Sequence, residues 1–272
     1  MARAKMNDIE ITYNISGSGD PVVLIGGFGM VKEGWAQQVD ALEKHFQVIT
    51  FDNRGAGGST VPSEPFTIAD MAADVAGLLD HLGIDKAHFF GVSMGGLITQ
   101  TLALDYPDRV RRAVLGCTSH GGRHAVQPAP EVMQTLASLG DPGMSPEEAA
   151  RKRLSVVLSD RFIREEPEKV EEFLKLSLQY RLTREGTRGQ MQALSYFNVK
   201  KRLGEIRCPV LVITGDEDRM MPPENSRLLA EGIAGAELYI VKGAGHSFFL
   251  EKPEEVNRVL IDFFTKGVDA SK

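Results

Sequence analysis

Three kinds of side chain, far apart in the chain, are suited to attack on a carbonyl. Ser93 stands in Gly91-Val92-Ser93-Met94-Gly95, acids cluster at Asp216, Glu217 and Asp218, and His246 ends the run Gly243-Ala244-Gly245-His246. A serine hydroxyl is a poor nucleophile near neutral pH. It needs a base to take its proton, and the base needs a carboxylate to fix its tautomer and stabilise its charge. The G-x-S-x-G spacing suits a sharp turn from strand to helix with the serine at its apex, where small neighbours two residues either side are required. Such a turn leaves the Met94 N–H at the first turn of a helix, aimed at the place where negative charge would develop. Among the six histidines, His45, His81 and His88 fall in helix or strand positions and read as surface or packed groups. His120 and His124 follow a strand and could line a pocket. His246 alone sits in a glycine-rich loop late in the chain, and it is the candidate base. Any of the three adjacent acids could orient it, and Asp216 also suits turn hydrogen bonding.

The elements that must position these groups follow from apolar patterning. Short runs at Ile9–Ile15, Val22–Ile25, Gln47–Phe51, His88–Phe90, Ala113–Leu115, Pro209–Thr214 and Glu237–Val241 read as strands, several apolar throughout as in a sheet buried on both faces. Between them, Trp35–Leu42, a stretch capped by Thr67 and running to Leu82, and Leu97–Tyr106 read as helices. Thr67 with Asp70 has the capping-box pattern. Alternation of strand and helix predicts an α/β fold with a mostly parallel, doubly wound sheet. Ligands bind beyond the carboxyl ends of such strands. Ser93, both early glycine-rich loops, the acids and His246 all follow predicted strands, so they gather on one edge. The rhythm stops near His120. Glu131–Leu139, Pro146–Leu158, Pro167–Tyr180 and Arg184–Phe197 read as helices without an intervening strand, a block placed to act as a lid. After the sheet resumes, Pro223–Gly232 and Glu254–Phe264 read as helices and Gly267–Lys272 as a frayed tail.

With these motifs in order, the chain resembles the α/β-hydrolase fold proteins along nearly all its length outside the helical block. Gly91 to Gly96 resembles the nucleophile elbow, Asp52-Asn53-Arg54-Gly55-Ala56-Gly57-Gly58-Ser59 the D-x-R-G-x-G-x-S loop, Gly215 to Pro222 the G-D-x-D-x-x-x-P acid loop, and Gly243 to His246 the histidine loop. The resemblance implies a core of residues 1–122 and 204–272 with a helical cap, 123–203, inserted after the sixth strand. It implies Asp218 as the acid, beside Ser93 and His246, and an oxyanion hole from the Phe28 and Met94 N–H groups. Candidate substrate contacts are Gly27, Met30 and Met220, and Met94 could add to a soft apolar lining; core filling suits each methionine equally. One departure stands out. The family's first glycine loop is usually H-G-x-G, and here it reads Gly26-Gly27-Phe28-Gly29, which predicts a loop lacking its usual side-chain support.

The implied activity is hydrolysis of a carboxylic ester or lactone through an acyl-enzyme, most similar to 3-oxoadipate enol-lactonases and small carboxylesterases. Cofactor-free haloperoxidases (perhydrolases) and C–C bond hydrolases share the triad, and some members serve as ligand sensors. Epoxide hydrolases place an aspartate where Ser93 stands. This chemistry requires neither metal nor organic cofactor, and the histidines and acids are not spaced as a metal site. Over 272 residues the net charge is −6, which argues against nucleic acid or an anionic membrane as partner. No run is long and apolar enough to span a bilayer, and Met1–Glu10 lacks a signal-peptide core. The expectation is a cytoplasmic protein, monomer or homodimer, acting on a small molecule, with Cys117 and Cys208 as buried free thiols.

Overall fold

Eight strands form one sheet in a computed structural model that describes residues 2–6, 8–139, 141 and 143–266. They are β1 (Ala2–Met6), β2 (Ile9–Gly17), β3 (Pro21–Ile25), β4 (Gln47–Phe51), β5 (Ala87–Val92), β6 (Val110–Gly116), β7 (Val210–Gly215) and β8 (Glu237–Val241). The helices are α1 (Ala36–Leu42), α2 (Ile68–His81), α3 (Met94–Asp105), α4 (Pro130–Ser138), α5 (Pro146–Val157), α6 (Asp160–Glu165), α7 (Pro167–Gln179), α8 (Arg184–Ser195), α9 (Glu224–Gly232), α10 (Phe248–Glu251) and α11 (Pro253–Thr265). The spatial order is β1-β2-β4-β3-β5-β6-β7-β8. The first two pairings are antiparallel and the rest parallel.

The chain steps from β3 outward to β4, then returns across β3 to β5. That reversal opens a crevice at the strand ends between β3 and β5. The glycine loop after β3 and Ser93 after β5 flank it. One sheet face is packed by α2, α3 and α9 through Met71, Val75, Ile98, Leu102 and Leu229. The other is packed by α1 and α11 through Leu42, Leu260, Phe263 and Phe264, with Trp35 fully buried beneath. The doubly wound expectation therefore holds, and its helices start where their caps predict: Thr67 accepts from Asp70 N while the Asp70 carboxylate accepts from Thr67 N.

Three elements escape sequence patterning. Strand β1 alternates exposed Arg3 and Lys5 with buried Ala4 and Met6, a pattern whose small apolar half is easily overlooked. Helices α6 and α10 have only 6 and 4 residues, too short to display a periodic stripe. The predicted helix Trp35–Leu42 begins as a 3₁₀ turn, Lys32–Trp35, before α1. Helices α4 to α8 lie between β6 and β7, and the sole pairing near them among the described residues is an isolated bridge, Gly121 to Asn198. The tail Gly267–Lys272 lies outside the described residues.

Candidate active site

Ser93 occupies the turn between β5 and α3 with φ 54°, ψ −117°. For a residue with a side chain that is a strained conformation, of the kind functional sites retain. The turn is possible because nothing bulky stands beside it. A Cβ on Gly91 would collide with the Gly95 carbonyl and Thr99, and one on Gly95 with the Ile25 carbonyl. Ser93 N donates to Gly116 O (2.8 Å) and Thr118 Oγ1 donates to Ser93 O (2.8 Å), which fix the apex to the end of β6.

The loop after β7 separates the three acids by geometry. Asp216 Oδ1 accepts from Gly243 N (2.6 Å), a turn-closing role, and Glu217 is exposed. Asp218 is buried. Its Oδ1 accepts from Met220 N (2.9 Å) and Met221 N (2.7 Å), and its Oδ2 accepts from His246 Nδ1 (2.8 Å). Two main-chain amides thus fix the carboxylate and, through it, the ring. The loop carrying His246 is pinned on both sides by the helical segment. Ser247 N donates to Val157 O (2.8 Å), and buried Glu251 accepts from Gly245 N (3.0 Å) and from Ser159 Oγ (2.5 Å). Burial is the largest single influence and opposes charge on the imidazole, yet the adjoining Asp218 carboxylate and Cys117 sulfur together outweigh it and raise the His246 pKa well above its ordinary 6.5.

Cys117 joins this group unannounced by the sequence. It follows β6 with φ 39° and is fully buried. Its Sγ, a His246 ring nitrogen and an Asp218 oxygen lie within 4.8 Å of one another. Burial raises the thiol's pKa, so it stays protonated. The donor set is of metal-ligand type, although spacing along the sequence shows no such site; two of its three members are already hydrogen-bonded to each other. The signal was available: Cys117 follows a strand on the same edge as Ser93, Asp218 and His246.

The glycine loop is held by groups that replace the missing histidine. Asn53 Nδ2 donates to Gly26 O (3.0 Å). Met30 N donates to Gly27 O (3.1 Å), and the Met30 side chain fills the space that a Cβ on Gly26 or Gly34 would meet, at 3.1 and 3.0 Å. Below it, buried Asp52 accepts from Lys32 N (2.8 Å), Lys32 Nζ (2.9 Å), Gly58 N (2.9 Å) and Thr12 Oγ1 (2.8 Å). Gln190, buried on α8, spans two loops: its Oε1 accepts from Gly29 N (2.9 Å) and its Nε2 donates to Arg54 O (3.0 Å). Arg54 in turn makes a paired contact with buried Asp74 at 2.6 Å from both Nε and Nη2. The unsupported loop predicted from Gly26 is therefore corrected: the support comes from Asn53, Met30 and Gln190. Nothing in the local sequence around Gln190 announces this, because its partners lie 161 and 136 residues away. Gln190→Ala should lower kcat by about tenfold to hundredfold with KM less affected, since loosened positioning costs rate of that order. Steady-state kinetics of the variant check it.

A cavity of about 420 Å³ opens here, lined by Ser93, His246, Phe28, Gly27, Met30 and Met220 among others. All six candidates outside the buried acid and Met94 thus face one space. The Met94 side chain instead enters the core on the α3 face, so only its backbone belongs to the site. His120 and His124 do not line the cavity: His120 is buried with Nδ1 against Gly121 O (2.8 Å), and His124 is exposed. His88 packs between Phe46 and Phe264, and burial lowers its pKa to about 4, leaving it neutral. Among the described residues no helix is long and apolar enough to cross a membrane.

A strand-turn-helix serine, a buried Asp–His pair and a glycine loop around one cavity match a known arrangement. The family model for the alpha/beta hydrolase fold matches residues 20–253. The chain belongs to the α/β hydrolase fold family. The 3-oxoadipate enol-lactonase 2 of Acinetobacter baylyi is 30% identical over 257 residues, 93% of this chain and 92% of that protein. The 2-hydroxy-6-oxo-6-phenylhexa-2,4-dienoate hydrolase of Comamonas testosteroni is 31% identical over 278 residues, 95% of this chain and 92% of that protein. The solved enol-lactonase from Burkholderia xenovorans LB400 has a TM-score of 0.86 at 30% identity, covering 97% of this chain and 100% of that one. The protein is, like these α/β-hydrolase relatives, a hydrolase.

Proposed function

We propose that this hydrolase cleaves a carboxylic ester or lactone of a small molecule through Ser93, His246 and Asp218. The observation that carries the reading is the His246 Nδ1–Asp218 Oδ2 hydrogen bond at 2.8 Å, on a carboxylate whose other oxygen is occupied by two amides, beside a strained serine in the same cavity. With Nδ1 donating to Asp218, the other ring nitrogen is the acceptor for the Ser93 proton. Ser93 Oγ attacks the carbonyl carbon. The N–H groups of Phe28 and Met94 hold the oxygen as it gains charge. The imidazolium returns its proton to the leaving alcohol, and the acyl group stays on Ser93. Water, losing a proton to His246, then releases the acid and restores the serine.

Gly27, Met30 and Met220 contact the substrate, and helices α4 to α8 act as a cap that shapes the cavity above the serine. The predominantly apolar lining suits ester and lactone groups. The substrate is met in the cytoplasm. A fluorophosphonate probe should label Ser93, read by mass spectrometry, and the protein should turn over p-nitrophenyl acetate through many cycles. Absence of labelling, or a single slow turnover with product retained, refutes an esterase.

A further inference from the structure

The cavity is lopsided in charge. Two arginines, Arg153 and Arg181, reach its wall, and among the described residues lining it there is no aspartate or glutamate. In a chain of net charge −6, several of the other arginines find carboxylates. Arg151, two positions earlier on α5, pairs with Glu147 at 3.0 Å and Glu171 at 2.6 Å. Arg161 pairs with Glu165 at 2.8 Å, and Arg202 with Asp105 at 2.8 Å.

Arg153 has no such partner among the described residues. Its neighbours three and four residues away on α5 are Ala149, Ala150, Val156 and Val157, none able to pair with a guanidinium. From the facing segment, Phe173, Leu176, Ser177 and Leu182 share the wall with it, again without a carboxylate. The residue is partly buried, and desolvation, which lowers its pKa, is the influence that acts on it. Its Nη1 lies 3.9 Å from where a Cβ on Gly29 would stand, one residue beyond Phe28 of the oxyanion loop. A guanidinium does not give up its proton in such a place. An uncompensated buried charge is costly, and a binding site retains one when the ligand supplies the opposite charge.

We propose that Arg153 is the recognition group for an anionic substrate: an ester or lactone that carries a free carboxylate, held against the guanidinium at the oxyanion-loop side of the cavity. This rests on the esterase reading above and names its substrate class. The planar fork of Arg153 matches a carboxylate, with two parallel N–H donors on two oxygens. A phosphate fits less well, because its second charge would find no second buried cation. Arg181, exposed at the mouth, adds a positive field that draws the anion inward.

Matched ester pairs test this. p-Nitrophenyl pentanoate and mono-p-nitrophenyl glutarate differ by a terminal methyl against a carboxylate on the acyl side. 4-Acetoxybenzamide and 4-acetoxybenzoate make the same comparison on the leaving-group side. In at least one pair, kcat/KM should favour the anion by about tenfold or more, and Arg153→Met should reduce that preference by about tenfold to hundredfold. Arg153→Lys should keep part of it, and added salt should narrow it. The methionine variant should melt no lower than the parent, because a buried unpaired charge is removed. No anion preference in either pair, or one that survives Arg153→Met, overturns the proposal. Calorimetric titration with glutarate separates this from failure of the esterase reading. If neither class of ester is turned over, glutarate binding that is lost in Arg153→Met still sustains the anion site, and absence of binding to the parent overturns it.

Discussion

Ser93→Ala should lower kcat by about a millionfold, the loss seen when a triad nucleophile or its base is removed. The enzyme should not fall to the rate of water. The Phe28 and Met94 amides and the cavity remain, and such features alone leave about a thousandfold over the uncatalysed reaction. The fold should not suffer, because alanine removes one oxygen from a side chain that faces the cavity. A companion variant separates chemistry from strain. Ser93 has φ 54°, where a side chain costs about 1–3 kcal/mol and glycine much less. Ser93→Gly should be equally inactive yet melt higher than Ser93→Ala. Steady-state hydrolysis of p-nitrophenyl acetate and thermal melts of both variants check the pair. An alanine variant within tenfold of the parent would remove Ser93 from the mechanism.

Asp218→Asn should lower kcat by about 10⁴-fold with little change in fold. The two amides of Met220 and Met221 bond to Oδ1, and asparagine can keep that oxygen in place. Its NH₂ would then face His246 Nδ1. Two donors cannot bond, so the ring adopts the other tautomer and its outer nitrogen carries the proton that it should accept. The same substitution has a signature in pH. His246 works as a base only when neutral, so activity is present above its pKa and lost as pH falls through it. Asp218, with Cys117 beside it, raises that pKa well above 6.5 despite burial, so the acid limb of kcat/KM should lie above the ordinary imidazole range in the parent. In Asp218→Asn the limb should move down, because the charge that favours imidazolium is gone. A limb that stays in place would mean that another group controls it.

These residues were legible because they belong to loops at strand ends, where glycine and an acid or histidine recur in fixed spacing. The strands β3 to β8 were equally open to reading, since a sheet covered on both faces leaves continuous apolar runs. The choice among Asp216, Glu217 and Asp218 was not open to local reading. It depends on which carboxylate turns inward, and that is set by the Met220 and Met221 amides that receive it. Likewise the substitution of Gly26 for a histidine reads as a loss until Asn53, Met30 and Gln190 are seen in place. Arg153 was hidden for the converse reason. On a helical wheel it is one more charge on a polar helix, and only the packing of α5 over the cavity shows that the described residues sharing its wall include no acid.

Ala150, Leu154, Leu158, Phe162 and Leu174 form a small apolar cluster of their own, apart from the two that cover the sheet. The helical segment around them is tied to the histidine loop through main-chain and Glu251 hydrogen bonds rather than through its own wall side chains. Mutational drift can therefore replace wall residues such as Leu176 or Tyr180 without unsettling the sheet or the proton relay. A lineage with this layout can trial new molecular diets while its reactive chemistry stays fixed.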